Sequence, residues 1–107
     1  TPHGDRALVS CAQGAALAVI DARTHQVLQR IPMQLEAVEG SKDRLFGDRF
    51  GKSPVPIGIA VPPSGKVAYV ANSGADRIAV VDLEQGRVVK TIPAGKEPDG
   101  IAWIPTP

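Results

Sequence analysis

Two stretches of this chain superimpose without a gap, and that internal repeat restricts its fold more than any other feature of the sequence. "ALVSCAQGAALAVIDARTHQVLQRIP" (7–32) lies on "AYVANSGADRIAVVDLEQGRVVKTIP" (68–93) at an offset of 61 residues. The shift pairs Val9 with Val70, Val19 with Val80, Asp21 with Asp82, Val27 with Val88, Ile31 with Ile92 and Pro32 with Pro93, and it also places Pro2 on Pro63 and Gly4 on Gly65. A second echo, "PIGIAV" at Pro56 and "PDGIAW" at Pro98, has a shift of 42. The difference is an insertion of 19 residues, which falls between Pro32 and Pro56. The repeating unit is therefore about 42 residues long, and self-similarity at such a period marks a repeat architecture.

The unit reads as four short strands. Ile57–Val61 is apolar and bounded by prolines, Val67–Ala71 is rich in β-branched and aromatic residues, and Arg77–Val81 and Arg87–Ile92 follow polar turns. The turns "PPSG", "NSGAD" and "DLEQG" suit hairpins, and the Gly and Pro that recur through the unit disfavour helix. The expected fold is all-β, made of four-stranded antiparallel meanders, and a four-stranded unit of this length is the signature of a β-propeller blade. The chain holds about two such blades. Residues 1–32 supply strands two to four of a first copy, 33–55 an insertion loop, 56–93 a complete blade, and 94–107 the inner strand of a next or closing blade. Gly58 with Ala60, and Gly100 with Ala102, are small where inner strands would crowd around an axis.

Composition excludes several classes of function. A net charge of +1 gives no broad field for nucleic acid or anionic lipid. No apolar run approaches the roughly 18–20 residues of a membrane span. Cys11 is the only cysteine, so neither an intrachain disulfide nor a cysteine-based metal cluster can form, and it is expected to be a small buried side chain. His3 and His25 sit in turns at the end away from the insertion, without an acid at metal-ligand spacing. The "GKS" at Gly51–Ser53 lacks the upstream glycine of a phosphate loop, and the Asn72, Ser73, Asp76 group lacks the alternation and distal Glu of a calcium loop. No catalytic residue, metal site or cofactor is expected. Asp21 and Asp82 end equivalent strands, where a short carboxylate accepts backbone N–H groups of the next turn.

The segment from Pro56 to Trp103 resembles the YVTN-type β-propeller repeat, whose naming tetrapeptide corresponds here to Tyr69, Val70, Ala71 and Asn72. The resemblance extends through Ser73 and Gly74, "VVD" ending at Asp82, and "IPAG" at Ile92–Gly95; the first copy is degenerate, with Leu8, Val9, Ser10 and Cys11 at the tetrapeptide. It implies a bacterial or archaeal protein, periplasmic or extracellular, whose propeller binds or presents partners, and it implies no single chemistry.

Function on such a fold is expected in its loops. The 33–55 insertion holds both phenylalanines, Phe46 and Phe50, in a small echo, "DRLFG" then "DRFG". Long connections of this kind are functional or disordered, and aromatic side chains with arginines are typical interface anchors. Arg44, Phe46, Arg49 and Phe50, with Asp76 and Arg77 in the turn at the same end, are thus the expected contacts for a protein, peptide or glycan. The expected function is a non-enzymatic binding or scaffolding segment. The alternative is part of a propeller enzyme or redox subunit of the lactonase or amine-dehydrogenase type that the family resembles, with its reacting groups in other blades. Two blades cannot close a ring, and the first residue is Thr1 rather than Met. The chain therefore reads as a fragment completed by further blades of a parent chain, or as a unit completed by copies of itself.

Overall fold

The computed structural model describes residues 1–38 and 49–105. The all-β expectation holds: seven strands form two antiparallel meanders. β1 (Arg6–Cys11), β2 (Ala16–Asp21) and β3 (Val27–Pro32) make a three-stranded sheet in the order β1-β2-β3. β4 (Pro56–Ala60), β5 (Val67–Asn72), β6 (Arg77–Asp82) and β7 (Arg87–Pro93) make a four-stranded sheet in the order β4-β5-β6-β7. Among the described residues no helix is long and apolar enough to cross a membrane.

The repeat in the sequence is a repeat in the backbone. Arg6 pairs with Asp21 as Val67 pairs with Asp82, and Val9 with Ala18 as Val70 with Ala79. Both sheets shift register at the same place, between Val19 and Ile20 and between Val80 and Val81, and the second sheet shifts again between Pro56 and Ile59, in the strand that the first sheet lacks. Such a bulge increases the local twist of its strand. The turns match bond for bond. Gly4 N donates to Thr1 O and Gly65 N to Pro62 O; Ala22 N to Asp5 O and Leu83 N to Lys66 O; His25 N to Asp21 O and Gly86 N to Asp82 O; Met33 N to Ala15 O and Ala94 N to Asp76 O. Left-handed backbone recurs at Ala15 and Asp76, at His25 and Gly86, and at Gln34 and Gly95.

Strand alternation gives each sheet two faces. Leu17, Val19 and Ile31 lie on what we term the front of the first sheet, and Ala68, Val70, Ala79 and Val81 on the back of the second. Together with Met33 these form the core, every member 3% exposed or less. Bulky side chains on one sheet meet small ones on the other, which brings the two backbones close. The small residues of β4 have a related reason: a Cβ on Gly58 would run into the Asp99 carbonyl of the chain's last segment, whereas one on Gly100 would meet open space.

Two expectations are corrected. Ile101–Ile104 forms no strand, because no extended neighbour lies beside it to complete a ladder among the described residues. Cys11 is half-buried rather than buried, because among the described residues the back of the first sheet is only partly covered, whereas its counterpart Asn72 is fully enclosed.

The equivalence of His25 (φ 64) and Gly86 (φ 71) makes a stability prediction. A left-handed residue with a Cβ carries a steric cost of about 1–2 kcal/mol that glycine avoids. His25→Gly should therefore raise the denaturation midpoint. Gly86→Ala should lower it, both through φ and because the new Cβ displaces the Gln29 side chain. Urea unfolding of the two variants checks both signs.

Candidate functional site

The long connection leaves and re-enters the structure at one end of the two sheets, the end that carries the β1–β2 and β5–β6 turns. Its described parts are tied to those turns mainly through the main chain. Val38 N donates to Gly74 O at 2.7 Å and Ala37 N to Lys52 O at 3.3 Å, so its outgoing arm touches both the β5–β6 turn and its own returning arm. On the returning arm, Val55 O accepts from Ser73 N and Pro54 O from Gly74 N, each at 2.9 Å. Ser53 Oγ donates to Ala12 O in the first sheet and accepts from Val55 N at 3.0 Å. One buried serine thus joins the connection to the first sheet while its neighbours join it to the second.

This junction is closely packed. Ser53, Pro54, Val55, Asn72, Ser73 and Ala75 are all buried. A Cβ on Gly74 would sit 3.1 Å from Ser53 O and from the Val55 side chain, which explains the glycine in that turn. Asn72 donates through Nδ2 to Val70 O at 3.0 Å, and its Oδ1 is enclosed without a hydrogen-bond partner among the described residues. None of these main-chain ties depends on a distinctive side chain. Sequence reasoning missed Ser53 because a lone hydroxyl does not show which carbonyl it will reach; its one signal is its place three positions before β4.

Of the residues singled out from the sequence, Arg44 and Phe46 lie outside the described residues. Arg49 is exposed and places its guanidinium 5.7 Å from the centroid of the half-buried Phe50 ring, a cation–π distance. Asp76 occupies the left-handed corner of the β5–β6 turn (φ 56), and its Oδ1 accepts from Glu97 N at 2.9 Å. Arg77 Nε donates to Thr91 Oγ1 at 3.0 Å across the β6–β7 pair. Asp76 and Arg77 therefore organise the turn and the start of the last segment. The structure joins the arms of the connection to their turn, and it gives Arg49 a ring to cover.

Asp21 and Asp82 lie at the opposite end. Asp21 Oδ1 accepts from Arg23 N (2.8 Å) and Thr24 N (3.0 Å); Asp82 Oδ1 accepts from Glu84 N and Gln85 N (both 2.9 Å), while Oδ2 accepts from Gln85 Nε2. These donors favour the ionised form. The Thr24 N–H, then that of Arg23, holds the Asp21 carboxyl below its ordinary 3.8, and the Gln85 N–H does the same for Asp82. His3 joins Thr1, Asp5, Arg6, Gln29 and Glu84 around a cleft of ≈ 470 Å³ at this end. No group of three or more His, Cys, Asp or Glu is arranged to hold a metal among the described residues.

A carboxyl with a lowered folded-state pKa stabilises the fold above its unfolded pKa, and loses that contribution as pH falls through the folded value. The unfolded chain binds the proton first, so stability should fall with acidification below pH about 4. Replacing Asp21→Asn and Asp82→Asn together keeps an oxygen acceptor in each turn but removes the titration. The acid limb of a plot of melting temperature against pH should flatten; an unchanged limb would contradict the turn role.

No protein-family model and no curated protein matches the chain. Among solved structures it is similar to hydrazine synthase of Kuenenia stuttgartiensis, with a TM-score of 0.74 and 26% identity over 95% of this chain. The likeness spans 24% of that protein's chain. In all, 53 solved chains match, and a likeness of fold does not by itself carry an activity.

Proposed function

We propose that the chain is a segment of a YVTN-like β-propeller acting as a binding or scaffolding module, with its partner, a protein, peptide or glycan, met at the end that carries residues 33–55. The two meanders are the blades of this reading, and Ile101–Ile104 would become the inner strand of a next or closing blade once a neighbouring blade pairs with it. Location in the periplasm or outside a bacterial or archaeal cell belongs to the proposal and rests on the YVTN-type resemblance.

The observation that carries the reading is the anchoring of the connection. A long loop held at both arms by main-chain bonds, those of the returning arm buried, loses less conformational entropy when it binds, and preorganisation of this kind supports affinity. The Arg49–Phe50 pair provides an aromatic and cationic surface beside those anchors. A second reading is favoured by the likeness to a hydrazine synthase chain. There the segment belongs to a propeller enzyme or redox subunit whose reacting groups lie in other parts of the protein.

Screening the chain against a glycan array and a peptide library, beside the Phe46→Ala, Phe50→Ala double variant, tests the first reading. Truncating an aromatic anchor costs about 2 kcal/mol, so the variant should bind about 30-fold more weakly while still melting cooperatively. Undiminished binding by the variant would overturn the assignment of this end.

A further inference from the structure

The contact between the two sheets is front to back, and the chain carries the other half of each surface uncovered. Shifting the buried back residues Ala68, Val70, Ala79 and Val81 by the repeat gives Ala7, Val9, Ala18 and Ile20 on the back of the first sheet. Shifting the buried front residues Leu17, Val19 and Ile31, with the half-buried Leu8, gives Ile78, Val80 and Ile92, with Tyr69, on the front of the second. Exposure differs most at two pairs: Val70 is 0% exposed and Val9 43%; Ile31 is 0% and Ile92 37%; on the open faces Ile20, Tyr69, Ile78 and Val80 are half-buried and the small Ala18 is buried. The two open surfaces are versions of two surfaces that already fit one another.

The strand edges complement each other in the same way. β5 has β4 on its outer side, whereas β1 has no partner there among the described residues. The segment that repeats the β4 sequence, Pro98–Trp103, is unpaired and lies across Gly58, on the same side of the molecule as the open front. Trp103 and Ile104 are 46% and 82% exposed. A first sheet docked on that front would bring its β1 alongside this segment.

We propose that a second copy of this chain docks there, head to tail. The back of its first sheet covers the front of the second sheet, and its β1 adds the resident 98–104 segment as a fourth strand. The β4–β5 register, in which Ile59 faces Val70 and Ala60 faces Tyr69, sets the intermolecular one: Ile101 faces Val9 and Ala102 faces Leu8. The occupant is a copy of this chain because the surface it must match is the one the chain already matches internally, with the same residue at Ala7, Val9, Ala18, Val80 and Ile92 and another apolar residue at Ile20, Tyr69 and Ile78. Pairing at a free edge supplies main-chain bonds, and the stacked faces supply apolar burial. Because the contact is heterologous, each copy keeps one donor and one acceptor surface, so assembly passes beyond a dimer. The inference is independent of what the 33–55 connection binds.

Light scattering during size exclusion, across a range of concentrations, should give a mass above that of a dimer. Val9→Arg spoils only the back of the first sheet and Ile92→Arg only the front of the second. Each variant alone should be monomeric, and an equimolar mixture should form a one-to-one heterodimer through the intact pair of surfaces. In a Cys11→Ser background, oxidation of Val9→Cys, Ile101→Cys should link separate chains, and Ala7→Cys, Ile101→Cys should not. A wild-type chain that stays monomeric throughout would overturn the proposal, leaving these faces to further repeat units of the same polypeptide. A symmetric dimer, or a mixture of the two arginine variants that does not associate, would also overturn it.

Discussion

The contact between the front of the first sheet and the back of the second holds the rest of the structure in place. A three- or four-stranded antiparallel sheet must bury one apolar face to be stable in water, and here each sheet supplies the cover for the other. Leu17, Val19, Ile31 and Met33 bury their side chains against a surface of Ala68, Val70, Ala79 and Val81. Full burial of one large aliphatic side chain contributes about 1.5–3 kcal/mol, and a domain's net stability is about 5–15 kcal/mol, so a few of these residues decide whether the chain folds. The alanines matter as much as the larger residues. Their small size lets the sheets approach until Ser10 Oγ reaches Ile57 O at 2.8 Å and Ser53 Oγ meets Ala12 O.

The functional end follows from that approach. With the sheets closely stacked, the turn after β1 and the turn after β5 lie side by side, and the arms of the 33–55 connection span both. Most of the anchors are main-chain groups, and the Ser53 hydroxyl with the buried side chains of Met33, Pro54 and Val55 completes them, so both ends of the connection belong to the packed structure. The likeness to part of a hydrazine synthase chain is a likeness of architecture, and activity on a given architecture depends on the sites it carries.

Much of the fold was legible in the sequence, because the features that define it are written in side chains. The offset of 61 appears in valines, in Asp21 and Asp82, and in the prolines that end β3 and β7. Each of these residues has a local physical task that survives repetition. The bulges after Val19 and Val80 were not legible, since an extra residue in a ladder needs no special side chain. The anchoring by Val38, Ser53, Pro54 and Val55 was hidden for the same reason. "PDGIAW" misled in another way: its strand-forming sequence is the same kind as that of β4, but a strand exists only with a partner, and pattern cannot tell whether one is present. Cys11 shows the same limit, because burial depends on what covers a face as well as on the residue. Of the expected contact residues, Arg49 and Phe50 are found together, whereas Asp76 and Arg77 are engaged in holding their turn and strand.

The central claim is that two equivalent sheets form one cooperative body through their front-to-back contact. Hydrogen exchange of the native chain, compared with Ile31→Ala, tests it most directly. Truncating a buried isoleucine costs about 2–5 kcal/mol, and if the sheets fold as one, protection should fall by a similar factor in β2 and in β5 and β6, although the substitution lies in β3. Protection lost from β1–β3 alone, with β5 and β6 unchanged, would contradict the account.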